Sequence, residues 1–327
     1  MKVLVTGASG FLGSHVAEQL SIAGHAVRAL VRKTSNRKHL QSLKGVELAE
    51  GGIEDAARVA DAAEGVDAII HVAGIVKARG DHEFNATNVQ GTINVLEAAR
   101  KRAPGLRRFV HVSSLEACGP SKDGTPVPVA QEGPITGYGR SKLAAEKALI
   151  AARQDLPITI LRPTAIYGPR DVEILEAFRS VKRGILPLTG DGSAHYTFVY
   201  GPDCAKACVK AITADVPSGS IFHISDGGVY TQRSMMEDIE RALGKRAFAR
   251  MGLPFGLIKT ASVFVEAYGK LMDKPVMLTR EKANMLAQPY WVCSSKEAEE
   301  ALGWKSEVTW PEGVHLAVKW YRDAGWL

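Results

Sequence analysis

Tyr138 and Lys142, in the run Tyr138-Gly-Arg-Ser-Lys142, stand four residues apart, which on a helix sets a phenol and an ammonium one turn apart on one face. Pro134 and Gly137, just upstream, mark a helix entrance. A tyrosine near its ordinary pKa of about 10 is a poor base at neutral pH, and a nearby cation favours the phenolate. Such a pair suits a group that gives and takes back a proton. Either residue alone would read better as part of a solvated helix, but their position after the fifth strand of a unit that opens with a glycine motif reverses that preference. Earlier in the chain, Val110-His-Val-Ser113-Ser114 closes an apolar run with two hydroxyls. Ser114 suits an oxygen that alternates between alcohol and carbonyl; for both serines, capping the strand end is the alternative.

A second constellation lies at the N-terminus. The apolar run Val3–Thr6 leads into TGASGFLG, with Gly7, Gly10 and Gly13 at GxxGxxG spacing. Missing β-carbons allow a sharp turn, let backbone N–H groups approach a pyrophosphate and let the next helix pack close. A lone glycine motif is weak, but this one follows a strand and opens a helix, the context a dinucleotide site requires. Gly7, Ser9, Gly10, Phe11, Leu12 and Gly13 are therefore expected to hold a nicotinamide dinucleotide, whose oxidised ring would join Lys142 in lowering the phenol. The second strand ends Ala29-Leu-Val-Arg32-Lys33, without the carboxylate that binds a free ribose hydroxyl. Arg32 offers a bidentate contact for a 2′-phosphate instead. NADP(H) is the expected cofactor and NAD(H) the alternative; the competing reading leaves Arg32 and Lys33 as solvated loop residues.

These groups need a scaffold. Val3–Thr6, Val27–Val31, Val46–Ala49, Ala68–Val72, Phe109–Ser113 and Ile158–Arg162 read as strands. They alternate with helical stretches at Leu12–Ala23, Thr92–Arg100 and Ser141–Arg153. KVLVT and DAIIHVA are near-continuous apolar runs, as strands buried on both faces should be. The expectation is an α/β Rossmann fold, a doubly wound parallel sheet with helices on both faces. After Pro163 the alternation loosens around Pro169, Pro187, Pro202 and Pro217. Residues 1–165, with 195–225 returning to them, are expected to form the dinucleotide-binding domain. Residues 166–194 and 226–327 would form a smaller C-terminal substrate lobe across a cleft.

The 327 residues, 46% of them hydrophobic, with a mean hydropathy of -0.05, can bury a large core. The net charge of +6 and pI near 9.1 come from scattered Lys and Arg without interleaved aromatics, so nucleic acid is not an expected partner. Cys118, Cys204, Cys208 and Cys293 form no CxxC pair and no metal-ligand set, which leaves them as reduced core residues and predicts no metal. No signal peptide is apparent, and a cytoplasmic location is the expectation. Met251 to Met272 is the most apolar late stretch, but Lys259, Glu266 and Lys270 interrupt the run a spanning helix needs. Met251–Tyr268 reads either as an apolar wall or interfacial surface touching a membrane peripherally, or as an ordinary buried helix.

TGASGFLG, HVAG at 71–74, NVQGTINVLEAA at 88–99, HVSS at 111–114, YGRSK at 138–142 and LRPTAIYGPRD at 161–171 together resemble the extended short-chain dehydrogenase/reductases, of the NAD-dependent epimerase/dehydratase type. The resemblance spans nearly the whole chain. It implies a catalytic Ser114, Tyr138 and Lys142, with Lys142 also holding the nicotinamide ribose. Cofactor contacts are implied at Ile53, Ala73 and Gly74 as well, and Pro163 to Ile166 would line the nicotinamide. Asn88 matches a residue whose role in this branch is more structural than chemical. Helices at 87–101 and 141–153 match the family's dimer interface, so a homodimer is expected. Two positions depart from the pattern: Gly52 stands where an adenine-contacting Asp is usual, and Cys118 replaces a Tyr. Nucleotide-sugar enzymes of the family usually carry an Arg in the segment matching His195–Asp203, to clamp a pyrophosphate; Tyr196 stands there. LTREK at 278–282 and YWVCSSKEAEEALGW at 290–304 resemble the branch of 3β-hydroxysteroid dehydrogenases and dihydroflavonol-4-reductases. That similarity implies interconversion of a ketone and a secondary alcohol on a small, lipophilic, steroid-, flavonoid- or long-chain-like substrate. The alternatives are a nucleotide-sugar epimerase or dehydratase with internal hydride recycling, and a dinucleotide-sensing regulator without chemistry.

Overall fold

Alternation within the apolar strands decides the layers. Val3 and Val5 join one hydrophobic core while Leu4, between them, joins another; Ile70 and Ile69 divide in the same way, as the period of two along a strand requires. The computed structural model describes residues 1–274, 276 and 278–327. Seven strands, β1 (Lys2–Thr6), β2 (Ala26–Val31), β3 (Val46–Glu50), β4 (Ala68–His71), β5 (Arg108–Val112), β6 (Ile158–Pro163) and β7 (Ser220–Ile224), form a single parallel sheet in the order β7-β6-β5-β4-β1-β2-β3. Helices α1 (Phe11–Ile22), α2 (Ala56–Ala63), α3 (Gly91–Arg102), α4 (Gly137–Ala151) and α5 (Gly201–Ala211) flank it. On one face Val16 and Leu20 of α1 and the small side chains of α5 pack with Val3, Val5, Val110 and Leu161. On the other, Val59 of α2, Val95 and Leu96 of α3 and Leu149 of α4 pack with Leu4, Ile69, Phe109 and Ile160. The chain reverses its winding between the neighbours β1 and β4, and ligands of such sheets bind in the crevice at that point. The doubly wound Rossmann sheet expected from the sequence is therefore present.

A third core gathers Tyr167, Phe178, Phe198, Met236, Trp310 and Tyr321. Trp310 is its centre, with ring centroids 4.3 Å from Phe198 and 4.6 Å from Tyr167, spacings typical of favourable aromatic pairs. Phe198 and Tyr200 lie in this core, whereas the late helix Lys296–Leu302 and Trp304 pack on the sheet with α1 and α5. Two small strand pairs, Ala165–Tyr167 with Phe198–Tyr200 and Ile185–Thr189 with Ala249–Leu253, hold the outer part together. All four cysteines are buried and none forms a disulfide.

The buried-helix reading of Met251–Tyr268 is overturned. This stretch is the end of a short strand followed by helix α6 (Phe255–Leu271), and Leu257, Phe264 and Tyr268 face solvent while Ile258 points inward. Apolar composition gave no direction, because a stripe facing out has the same period as one facing in. Among the described residues no helix is long and apolar enough to cross a membrane. Helix α7 (Arg280–Leu286) follows α6.

Candidate active site

The turn after β1 owes its shape to glycine. Gly7 sits at φ +70, and a β-carbon there would lie 2.8 Å from the Ala73 backbone; one on Gly13 would lie 2.0 Å from the Gly7 oxygen. Gly10 begins α1 without a side-chain cap, and the first turn holds no acidic residue. Helix N–H groups and the positive end of the dipole are thus left open to an anion.

Behind this turn, hydrogen bonds fix the loop after β4. Thr92 donates to the Asn88 carbonyl at 2.6 Å, so it accepts from His71 Nε2, 2.9 Å away. Burial and the Lys142 charge hold His71 down at about 3, so the ring is neutral and Nδ1 is its acceptor. Thr6 therefore donates to Nδ1 at 2.6 Å and accepts from the Ala73 N–H at 3.2 Å. The Asn88 side chain accepts from Ile75 N at 2.8 Å and donates to Ile75 O at 3.0 Å and Ser141 Oγ at 2.9 Å. Asn88 thereby ties the β4 loop to the first turns of α4, a positioning role.

Helix α4 carries Tyr138 and Lys142. Thr136 caps it by accepting from Gly139 N at 3.0 Å and donates to Glu116 at 2.6 Å. Glu281 of α7 accepts from Gly137 N at 2.6 Å. A negative charge is favourable at this helix end. Lys142 is 4% exposed; its Nζ donates to the Val112 carbonyl at 2.9 Å and lies 6.0 Å from the Tyr138 ring centroid. Burial lowers Lys142 to about 8, opposed by the charge of Glu146. Burial also raises the Tyr138 phenol well above its ordinary range; the Glu116 carboxylate adds to the rise and a hydrogen bond with Ser114 works against it. Glu146 forms a bidentate pair with Arg162 at 2.9 and 2.5 Å, both 2% exposed. This pair locks α4 to β6.

One cavity of about 670 Å³ collects the predicted residues: Gly7, Ser9, Gly10, Phe11, Leu12, Gly13, Arg32, Ile53, Ala73, Gly74, Ser114, Tyr138, Lys142, Pro163 and Ile166 all line it. Arg32 is exposed at its edge, with its carbonyl held by Arg37 at 3.1 Å. The residues present fit a dinucleotide: an uncapped helix N-terminus faces the cavity, and Ser113 Oγ is buried without a hydrogen-bond partner among the described residues. Sequence reasoning missed several lining residues, among them Ser35, Asn36, Glu54, Asp171 and Val172. Glu54 bears on the departure at Gly52, since its carboxyl group lies where a side chain on residue 52 would begin, with Oε1 2.0 Å from an ideal β-carbon. Burial raises the Asp171 carboxyl to about 6. Its one sequence signal was its place as the last residue of LRPTAIYGPRD.

The family model for the NAD dependent epimerase/dehydratase family matches residues 3–225, a stretch that takes in all seven strands of the sheet except the first residue of β1. The chain is 34% identical over 328 residues to a ceramide reductase of Caulobacter vibrioides, covering 99% of this chain and 96% of that protein. It is 30% identical to a 2-alkyl-3-oxoalkanoate reductase of Stenotrophomonas maltophilia, covering 96% and 97%. Among solved structures, a dTDP-glucose 4,6-dehydratase of Streptomyces venezuelae with NAD bound superposes with a TM-score of 0.81 at 26% identity, covering 100% of this chain and 98% of that one. A match along two-thirds of the sequence, extended to full length by these relatives, means that the chain belongs to the NAD dependent epimerase/dehydratase family and is an oxidoreductase of the extended short-chain dehydrogenase/reductase kind.

Proposed function

We propose that this enzyme interconverts a ketone and a secondary alcohol on a lipophilic substrate with NADP(H), using Ser114, Tyr138 and Lys142. The carrying observation is a juxtaposition: hydroxyl, phenol and buried ammonium share a cavity with the open N-terminus of α1 and with Arg32. The nicotinamide supplies or takes the hydride. Tyr138 gives its proton to the carbonyl oxygen, to which Ser114 donates a second hydrogen bond as charge develops. Lys142 stabilises the phenolate left behind. In the reverse direction the phenolate takes the alcohol proton. Arg32 is the ligand for the 2′-phosphate.

The lipophilic assignment is supported by Ile75, Val76, Ile166 and Val172 along the cavity, with Val76 and Val172 exposed at its mouth. Two relatives are reductases named for ceramide and for 2-alkyl-3-oxoalkanoate. In this reading residues 1–165 with 195–225 bind the cofactor, residues 166–194 and 226–327 enclose the substrate, and the working form is a cytoplasmic homodimer. A nucleotide-sugar reaction with internal hydride recycling is the second reading, favoured by the likeness to the dehydratase structure; Tyr196, in place of a phosphate-binding Arg, weighs against it. Purified enzyme offered NADPH and long-chain or cyclic ketones should oxidise one NADPH per alcohol formed, and Tyr138→Phe should abolish this. Turnover of a nucleotide sugar without net cofactor consumption would replace the proposal with the second reading. Full activity in Tyr138→Phe would remove the catalytic assignment.

A further inference from the structure

Residues 245–282 hold eight Lys or Arg against three Asp or Glu, a net +5 of the chain's +6. The same segment contains 10 of the 16 exposed large hydrophobic side chains among the described residues. Helix α6 is amphipathic in the inverted sense. Leu257, Phe264, Tyr268 and Leu271 recur at i, i+7, i+11 and i+14, on one stripe, and are 62%, 72%, 58% and 82% exposed. By helical spacing, Thr260, Ala261 and Ala267 fall on the same outward surface, which carries no charge, whereas Ile258 and Ser262 are buried on the inner one. Isolated surface leucines need no explanation, but a continuous apolar face of this extent on a folded protein marks an interaction surface. Exposed Lys245, Arg246, Lys259 and Lys274 accompany it, whereas Arg250 and Arg280 are paired with Glu237, Glu240 and Glu266.

We propose that α6 lies flat on an anionic lipid surface, its apolar stripe in the acyl boundary and its lysines at the headgroups. Charge complementarity selects this occupant, because a neutral apolar partner would make no use of the accompanying net positive charge. The placement suits the cavity. Asp273, just beyond α6, accepts from Arg79 at 2.7 Å, and Arg79 stands on the loop whose Ile75 and Val76 line the cavity. Glu266 of α6 pairs with Arg280 of α7 at 2.9 Å, next to the Glu281 that caps the Tyr138 helix. A bilayer under α6 would thus lie beside the cavity mouth, where a substrate dissolved in the membrane would enter.

The inference rests on surface composition and not on the reaction proposed above, so vesicle binding and turnover can fail separately. The test is co-sedimentation of the full chain with vesicles of phosphatidylcholine containing phosphatidylglycerol, and with phosphatidylcholine alone. Wild type should bind the anionic vesicles at least about tenfold more tightly than the neutral ones, in a salt-sensitive manner. Phe264→Glu with Leu271→Glu should weaken binding by about tenfold or more. Lys259→Glu with Lys274→Glu, which leaves the apolar stripe intact, should remove the preference for phosphatidylglycerol. Wild type remaining in the supernatant with both vesicles overturns the proposal, as does unchanged binding in the lysine variant. A wild-type dimer that Phe264→Glu separates into monomers also overturns it, and assigns the stripe to a second copy of the chain.

Discussion

Replacing Lys142 with methionine should abolish turnover and at the same time change how stability depends on pH. Burial lowers this ammonium from 10.5 to about 8, so holding its charge in the cavity wall costs about 3 kcal/mol relative to a hydrated lysine, at 1.36 kcal/mol per tenfold change in proton affinity. Methionine matches the stem and carries no charge. The loss is partly offset, because the Val112 carbonyl forfeits its donor, a penalty of about 1–3 kcal/mol for a buried acceptor. The pH dependence separates the two effects. The folded pKa is the depressed one, so above pH 8 the native protein sheds a proton that the unfolded chain keeps until about pH 10.5. Unfolding then takes up protons, and wild-type stability rises through this window; the variant lacks the rise. The stability of the variant minus that of wild type should therefore fall by about 2 kcal/mol between pH 7 and pH 9.5. Urea titrations of both proteins without cofactor measure it. A difference that stays flat over this interval would refute the reasoning, since it would mean that the ammonium is effectively hydrated.

Three other substitutions address separate parts of the site. Ser114→Ala should lower kcat by about 10²-fold or more through loss of an oxyanion donor, while the urea midpoint moves little, since Ser114 otherwise caps Glu116 N and hydrogen-bonds the Tyr138 phenol. Arg32→Ala should weaken NADPH binding by about tenfold or more and leave NADH within about twofold, as calorimetric titration of both cofactors would read; an unchanged ratio of affinities would end the NADP assignment. Glu146→Ala strands the buried Arg162 charge and should cost about 3–5 kcal/mol in urea unfolding, whereas exchanging both partners for methionine should recover most of that.

The dinucleotide half was legible because its signals are local. A strand, a glycine turn and a helix are contiguous in sequence, and every site residue expected from motif spacing lines the one cavity. Most edges shifted by a residue or two, but α4 begins at Gly137, four residues before Ser141, because Thr136 caps it from outside. Contacts made by distant segments had no such signature. Glu281 reaches Gly137 across 144 positions, and the strand pair Ile185–Thr189 with Ala249–Leu253 joins runs that neither motif nor period connects. The orientation of α6 was also hidden, since the sequence fixes the period of a stripe but not which neighbour covers it. Asp171 and Val172 enter the cavity through a turn in which Arg170 adopts φ 71, a backbone choice that its side chain does not announce.

The contact between Glu281 and Gly137 bears on the order in which the molecule can be completed during synthesis. All seven strands lie before residue 225, so a chain released at that length holds the whole sheet and the glycine turn. It would still lack the carboxylate at the start of the Tyr138 helix, and Trp310, about which the third core closes. A nascent chain therefore carries the sheet and the glycine turn well before it carries the residues that cap the Tyr138 helix and close the third core.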